Sequence, residues 1–307
     1  MALNTPVLFV VFNRPETTKR VFEEIKKAEP KELYLAADGP RLGNERDKLN
    51  CTKVREIVQK VDWPCKVKKR FIKENLGCKI AESSAIKWFF ENVSEGIIIE
   101  DDDLPNQSFF KFCEGMLKKY RNDDRIMHIS GNNFQRGWKR DNYSYYFSNY
   151  VYIWGFATWK RAWEKYDINT KLYPEIKKKK YLLDAYNSIF RTKVLEENLD
   201  STYYKNFNTW DYQWAFALAV NNGLSVVPNE NLITNIGMTS SAVHTSSTLD
   251  KEFSLPTREL RFPLKHPPFM IRDVKSDNRY FKWLFSKKIR NYFLKKTGLI
   301  RFFRVKK

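Results

Sequence analysis

The chain has 307 residues, 42% hydrophobic and 16% aromatic, which suits one large α/β domain or two modest ones and excludes a mostly disordered chain. Its net charge of +19 is uneven: from Arg279 to Lys307 there are eleven Lys/Arg and no Asp or Glu, so the last tenth of the sequence holds over half of the excess. Four cysteines without CxxC spacing and three scattered histidines make a poor zinc set and read as reduced thiols, and no run of about 18 apolar residues offers a transmembrane helix.

The apolar run in "MALNTPVLFVVFNRP" lacks a basic n-region and a small-residue cleavage site, so no signal peptide is expected there. Instead "PVLFVVFN" (6–13) reads as a fully buried strand. "RPETTKRVFEEIKKA" (14–28) follows as a helix, with Pro15 in its first turn and Val21, Phe22 and Ile25 on one face. "KELYLAADGPR" (31–41) is a second strand closing on Asp38-Gly39-Pro40. "NERDKLNCTKVREIVQKV" (44–61) is a second helix, "CKVKKRFIKE" (65–74) a third strand, "GCKIAESSAIKWFFENV" (77–93) a third helix and "GIIIEDDD" (96–103) a fourth strand. This rhythm predicts βαβ units and a mainly parallel sheet flanked by helices.

The second half is less regular and richer in Trp and Tyr. "FFKFCEGMLKKYRN" (109–122) is helical, and "IMHISGNN" (126–133) is a strand running into a loop. "YVYIWGFATWKRAWEKYD" (150–167) is expected to pass from a strand through Gly155 into a helix. "KKKK" (177–180) reads as a solvated face. "NTWDYQWAFALAVNNG" (208–223) is a strong helix closed by "NNG", and "LSVVPNENLITNIG" (224–237) gives a short strand and a turn. "KHPPFM" (265–270) interrupts the periodicity. The expected division is therefore 1–265 as the main domain, with 1–103 and 104–265 as its halves, and 266–307 as a basic amphipathic extension.

Ligands of parallel sheets sit beyond the carboxyl ends of the strands. Asn13, Arg14, Asp38 and the run Glu100-Asp101-Asp102-Asp103 all fall at such ends. Hard carboxylate oxygens suit Mg²⁺ or Mn²⁺, which take one or two protein carboxylates and leave other positions to phosphates. On charge pattern alone a solvated acidic turn remains an equal alternative.

The stretch "IIIEDDDLPNQSFF" (97–110) resembles the glycosyltransferase A-fold (GT-A) superfamily, and within it bacterial relatives of the N-acetylglucosaminyltransferase I type. In that pattern a hydrophobic strand runs into Glu-Asp-Asp and a Phe-Phe pair opens the next helix. The resemblance spans roughly residues 5–246 and implies a Rossmann-like sheet. It makes Asp102 the direct metal ligand, with Asp101 and Glu100 on the sugar, the ribose or metal-bound water; Asp103 is an extra acid. Asn13 and Arg14 in "VVFNRPETT" would line the nucleotide, and Asp38 in "AADGP" would accept the uracil N–H. A carboxylate is a strong acceptor for an imide, although a plain turn residue reads the same way. Gly155 in "IWGFATW" would allow close backbone approach to the donor, with Trp154 and Trp159 as sugar-stacking or core residues. His244 in "NIGMTSSAVHT" would reach the metal or the diphosphate.

The same resemblance makes Asp211 in "WDYQW" the general base of an inverting transfer. The plainer reading is an acid stabilising the helix dipole. The implied reaction moves a sugar from a nucleotide-sugar donor, UDP favoured, to a hydroxyl of a glycan or lipid-linked acceptor, with Mn²⁺ or Mg²⁺ on the diphosphate. A sugar-nucleotide pyrophosphorylase ranks below it, because "FNRPETT" lacks the glycine-rich first loop such enzymes need.

The tail "RYFKWLFSKKIRNYFLKKTGLIRFFRVKK" (279–307) interleaves eight aromatics with its cations, and Phe281, Phe285, Ile289 and Tyr292/Phe293 recur at helical spacing. It predicts an amphipathic helix on an anionic membrane surface, hence a cytoplasmic protein held at the inner face of the membrane. Packing of the tail on the main domain is the competing reading, and nucleic acid is the weakest partner. A non-catalytic membrane- or nucleic-acid-binding protein with a Ca²⁺-binding acidic turn stays as the alternative function, without EF-hand spacing to support it.

Overall fold

Strands β1 (Val7–Val11), β2 (Glu32–Ala37), β3 (Lys66–Phe71) and β4 (Glu95–Glu100) alternate with helices α1 (Pro15–Ala28), α2 (Glu45–Val58) and α3 (Gly77–Phe90), as the apolar runs and stripes require. The computed structural model describes residues 2–237 and 253–296, with side chains as far as Ser286. Pro15 starts α1 where its missing N–H costs nothing, and the Asn44 side chain caps α2 by accepting the Asp47 N–H at 3.0 Å.

A short strand β5 (Asp103–Pro105) leads into α4 (Gln107–Tyr120), capped by Asn106, and then β6 (Ile126–Ser130), β7 (Tyr145–Ser148) and β8 (Phe156–Trp159) follow. Helices α5 (Lys160–Trp163), α6 (Tyr173–Lys178), α7 (Tyr181–Tyr186), α8 (Ile189–Tyr204) and α9 (Asp211–Val220) precede strands β9 (Leu224–Pro228) and β10 (Ile233–Asn235). The last element is α10 (Val274–Lys296).

The main sheet has the order β3-β2-β1-β4-β8-β6-β9-β7. Six of its eight strands run one way, and β8 and β7 run against them. A small antiparallel ladder of β5 with β10 stands beside it. Alternate strand residues point to opposite faces, so Val7, Phe9, Ile97 and Ile99 enter the core under α1, α2 and α4. Leu8, Tyr34 and Ile98 enter the core under α3, α5 and α9. Burial on both faces is why these strands read as continuous apolar runs. The expected α/β class with a mainly parallel, helix-flanked sheet is what the chain adopts.

Local details refine these expectations. Gly155 precedes strand β8 instead of dividing a strand from a helix, and residues 149–153 are irregular. Helices α6 to α8 fill a region where no periodic stripe was legible. Trp159 is no sugar platform: it is 2% exposed, pairs with Glu95 at the opposite end of β4 from the acids, and lies under the Arg161 guanidinium at 4.5 Å. The start of the expected 266–307 extension packs on the rest of the chain through the first turns of α10. Asp277 is buried and accepts from Ser148 Oγ at 2.5 Å and Arg272 Nε at 2.7 Å, and Tyr280 packs edge-on against Tyr152.

Candidate functional site

Strands β1 and β4 are parallel neighbours with Val10 opposite Glu100, so their carboxyl ends emerge side by side. The loop after β1 therefore meets the acids after β4. The Phe12 N–H donates to Asp101 Oδ2 at 3.0 Å, and Arg14 Nη1 donates to Asp101 Oδ1 at 3.2 Å and also to Asp102. Burial pushes the Asp101 carboxyl up to about 6, against the opposing pull of Arg14. Burial would lower the Arg14 pKa, but the charges of Asp101, Asp102 and Glu100 outweigh it and hold the guanidinium firmly protonated.

Each acid of the run has its own neighbours. Asp103 turns into the body, where Gly155 N–H donates at 2.7 Å and Asn235 Nδ2 at 3.3 Å. Gly155 has a φ of +57°, and a Cβ there would fall 2.7 Å from Ile233 Cδ1. Glu100 turns to α3 and hydrogen-bonds Glu82; burial and the Glu82 charge raise its pKa well above the usual carboxylate range. Burial likewise raises Glu82 to about 7, while hydrogen bonds from Cys78, Glu100 and Trp210 work the other way. Two carboxyls that share a hydrogen bond hold a proton between them. Glu82 went unnoticed in the sequence; the available signal was an acid on the buried stripe of α3, between Ala81 and Ala85.

Asp102 is left facing Arg14 and Gly237. A Cβ on Gly237 would come within 1.9 Å of Asp102 Oδ2, so only glycine leaves room for that carboxylate. Among the described residues no three His, Cys, Asp or Glu side chains are grouped to hold a metal ion. A hard carboxylate in a glycine-lined cradle fits Mg²⁺ or Mn²⁺ as a single protein ligand, with the remaining positions left to water and phosphate oxygens. Arg14 already neutralises that carboxylate, so a cation there would take over part of its role. His244 lies outside the described residues.

The nucleotide-side candidates are tied to protein partners. Asn13 Nδ2 donates to Asp47 Oδ1 at 2.7 Å, and Asn50 Nδ2 donates to the Asn13 carbonyl at 3.1 Å. Arg41 clamps Asp47 through two nitrogens and lies 5.8 Å from the centre of the Phe12 ring. Asp38 accepts from Gly39 N–H at 2.8 Å, Asn75 Nδ2 at 2.8 Å and Leu76 N–H at 3.0 Å. Its oxygens hold the 74–77 loop, and a base N–H at Asp38 would displace one of these donors.

Asp211 opens α9 in its first turn and accepts from Thr209 Oγ1. Behind it Trp210 stacks on Phe156 with ring centres 5.7 Å apart, and Trp214 donates to His128 Nδ1 at 3.2 Å. Glu82 touches both Glu100 and Trp210, so the end of β4 and the start of α9 share one floor. The Cys78 thiol, raised first by burial, feels Glu82, Glu100 and Asp211 together. Trp154, by contrast, packs edge-on against Phe134 at 5.7 Å.

No family model matches the chain, and no curated protein matches it. Solved structures do. A 4-diphosphocytidyl-2C-methyl-D-erythritol synthase from Anaerococcus prevotii shares 8% identity with a TM-score of 0.33, covering 53% of this chain and 76% of that one. HddC from Yersinia pseudotuberculosis shares 12% identity with a TM-score of 0.31, covering 51% and 77%. A UDP-glucose pyrophosphorylase in complex with UDP-glucose shares 12% identity with a TM-score of 0.26, covering 48% and 59%. Likeness at this level bears on neither the activity nor the substrate of this chain.

Proposed function

We propose that the protein is an inverting, metal-assisted glycosyltransferase of the GT-A type that moves a sugar from a nucleotide-sugar donor, UDP favoured, to a hydroxyl of a glycan or lipid-linked acceptor. The observation that supports it most is the meeting of the loop after β1 with the acids after β4, where Arg14 bonds both Asp101 and Asp102, with Asp211 close enough to act with Glu82 and Glu100 on the Cys78 thiol. In this reading the donor-side acids and the candidate base face a common substrate.

In this reading Asp102 holds the cation, which when bound neutralises the diphosphate and makes it a better leaving group. Arg14, released in part from Asp102, presents its fixed charge to the phosphates. Asn13 keeps the first loop against α2, and Asp38 holds the loop that faces the base. Asp101 fixes the Phe12 backbone, and Glu100 offers a hydrogen-bonding carboxyl to donor hydroxyls. Asp211, in an aromatic and partly desolvated setting, takes the proton of the acceptor hydroxyl as it attacks from the face opposite the leaving group. Gly155 serves by anchoring Asp103, and His244 is proposed to reach the metal or the diphosphate.

The tail is proposed to rest on an anionic membrane from the cytoplasmic side, bringing the enzyme to a lipid-linked acceptor. Exposed Ile189 and Phe190 support this, since Phe190 lies 5.6 Å from Phe285 of α10 and extends its aromatic face. The test is turnover of a panel of UDP-, GDP- and CMP-sugars by the full chain with Mn²⁺, Mg²⁺ or chelator, followed by NMR for released nucleotide and anomeric configuration. Absence of nucleotide release from every donor would sink this reading.

A further inference from the structure

A cavity opens between α8, α9, α10 and the irregular stretch 149–153, and Asp211 is part of its wall. Phe281, Leu284 and Leu195 give it apolar sides. The wall also carries the polar side chains of Asn149, Asn198 and Arg191. The Arg191 side chain is 3% exposed, and among the described residues its Nε and Nη2 lack a well-formed hydrogen bond, Nη2 having only Asp277 at ion-pair distance. Its Cζ lies over the Tyr150 and Tyr186 rings, 4.7 and 5.2 Å from their centres. Its neighbouring anion is Asp277, 3.6 Å away and already bonded to Arg272 and Ser148.

Two arginines therefore share one aspartate, and Arg191, the more buried of the two, holds it at the longer distance. Burying guanidinium donors without partners costs several kcal/mol, and a preformed fork of this kind is what a carboxylate or phosphate completes. We propose that this cavity is the acceptor subsite and that Arg191 binds an anionic group, a carboxylate or phosphate, on the acceptor. The inference rests on Asp211 being the base of the proposed reaction. Two fixed points, an anion at Arg191 and a hydroxyl at Asp211, would select which acceptor hydroxyl reacts. The apolar wall formed by α10 would favour acceptors whose uncharged part is itself apolar, or presents a sugar face.

The experiment uses the full chain and three small probes: methyl β-glucuronide, glucose 6-phosphate and methyl β-glucoside, titrated by NMR without donor. The charged probes are expected to bind roughly tenfold or more tightly than the neutral one, as charge-assisted hydrogen bonds of about 1.5–3 kcal/mol imply. The two charged arms tell carboxylate from phosphate. Arg191→Lys keeps the charge and loses the fork, and it should erase most of that preference. Equal binding of charged and neutral probes by the unmodified protein would overturn the proposal even if the variant fails to fold. So would an Arg191→Lys protein that folds and keeps the full preference. UDP, GDP or CMP titrated into the same samples with Mn²⁺ separates the two ideas. Nucleotide binding without any anion preference removes the subsite alone, whereas anion preference with no binding of UDP, GDP or CMP in the presence of Mn²⁺ removes the transferase reading.

Discussion

The two sides of the proposed site are built by different means. The first side is a set of strand ends: β1, β2 and β4 deliver Arg14, Asp38 and Asp102 because parallel pairing fixes their relative height. The second side is a packed aromatic mass. Trp163, Trp210 and Trp214 and their neighbours hold the start of α9, and α8 and α10 complete the cavity. Topology positions the first set almost regardless of which apolar residues fill the sheet. Side-chain fit positions the second, so its site residues depend on distant contacts.

The sharpest way to break this comparison is Asp211→Asn. If the second side supplies the base, steady-state transfer should fall by about 10²–10⁴-fold while nucleotide-sugar affinity, a property of the first side, stays unchanged. Equal turnover would return Asp211 to the role of a helix-dipole acid. Next in size is Gly237→Ala. Its methyl would land on Asp102, 2.6 Å from Cβ as well as 1.9 Å from Oδ2, so calorimetry should show donor affinity lower by about 10–100-fold together with a lower melting temperature. Gly155→Ala makes the contrast, since its added Cβ strikes the core at Ile233 and should cost stability first.

How much of this was legible follows the same divide. Apolar runs ending in Asn13-Arg14, Asp38 and Glu100–Asp103 were visible because strands buried on both faces and helices with a stripe leave periodic marks. The separate roles inside the acid run were not visible, since they depend on partners 50 to 130 residues away, such as Gly155 and Asn235 for Asp103. Helices α6 to α8 were missed for a related reason. Their buried residues, such as Tyr173, Leu182 and Leu199, are single anchors instead of a stripe. Arg191 could not stand out either, because a lone arginine near a helix start usually faces water.

The tail sharpens the comparison further, because it takes part in the second side and extends beyond it. Truncation after Pro268 would remove Asp277, Tyr280 and Trp283 and so damage the fold. Truncation after Ser286 keeps those contacts and removes nine Lys/Arg. With each basic residue near an anionic surface worth about 1 kcal/mol, sedimentation with anionic liposomes should drop roughly tenfold or more while donor turnover in solution persists. Unchanged sedimentation would place any membrane contact elsewhere.

The smallest expected effect tests the seam between the two sides. Glu82 has a folded pKa of about 7 against an ordinary value of 4.5, so the folded protein binds more protons between those two pH values. The resulting stabilisation is fully present below about pH 4.5 and is lost as pH rises through 7. Asp101, raised to about 6, acts with the same sign. Buried His128, lowered to about 4, acts with the opposite sign over the acidic part of the range, so the raw pH profile of the protein mixes these contributions. Glu82→Gln isolates one of them. It keeps a hydrogen bond to Glu100 without the shared charge, and its melting temperature should fall less between pH 5 and 8 than that of the unmodified chain. The difference should be worth about 1–2 kcal/mol after allowance for the partial exposure of the pair. Parallel melting curves would mean that the two carboxyls do not share a proton, and that the donor side and the base side are joined by packing alone.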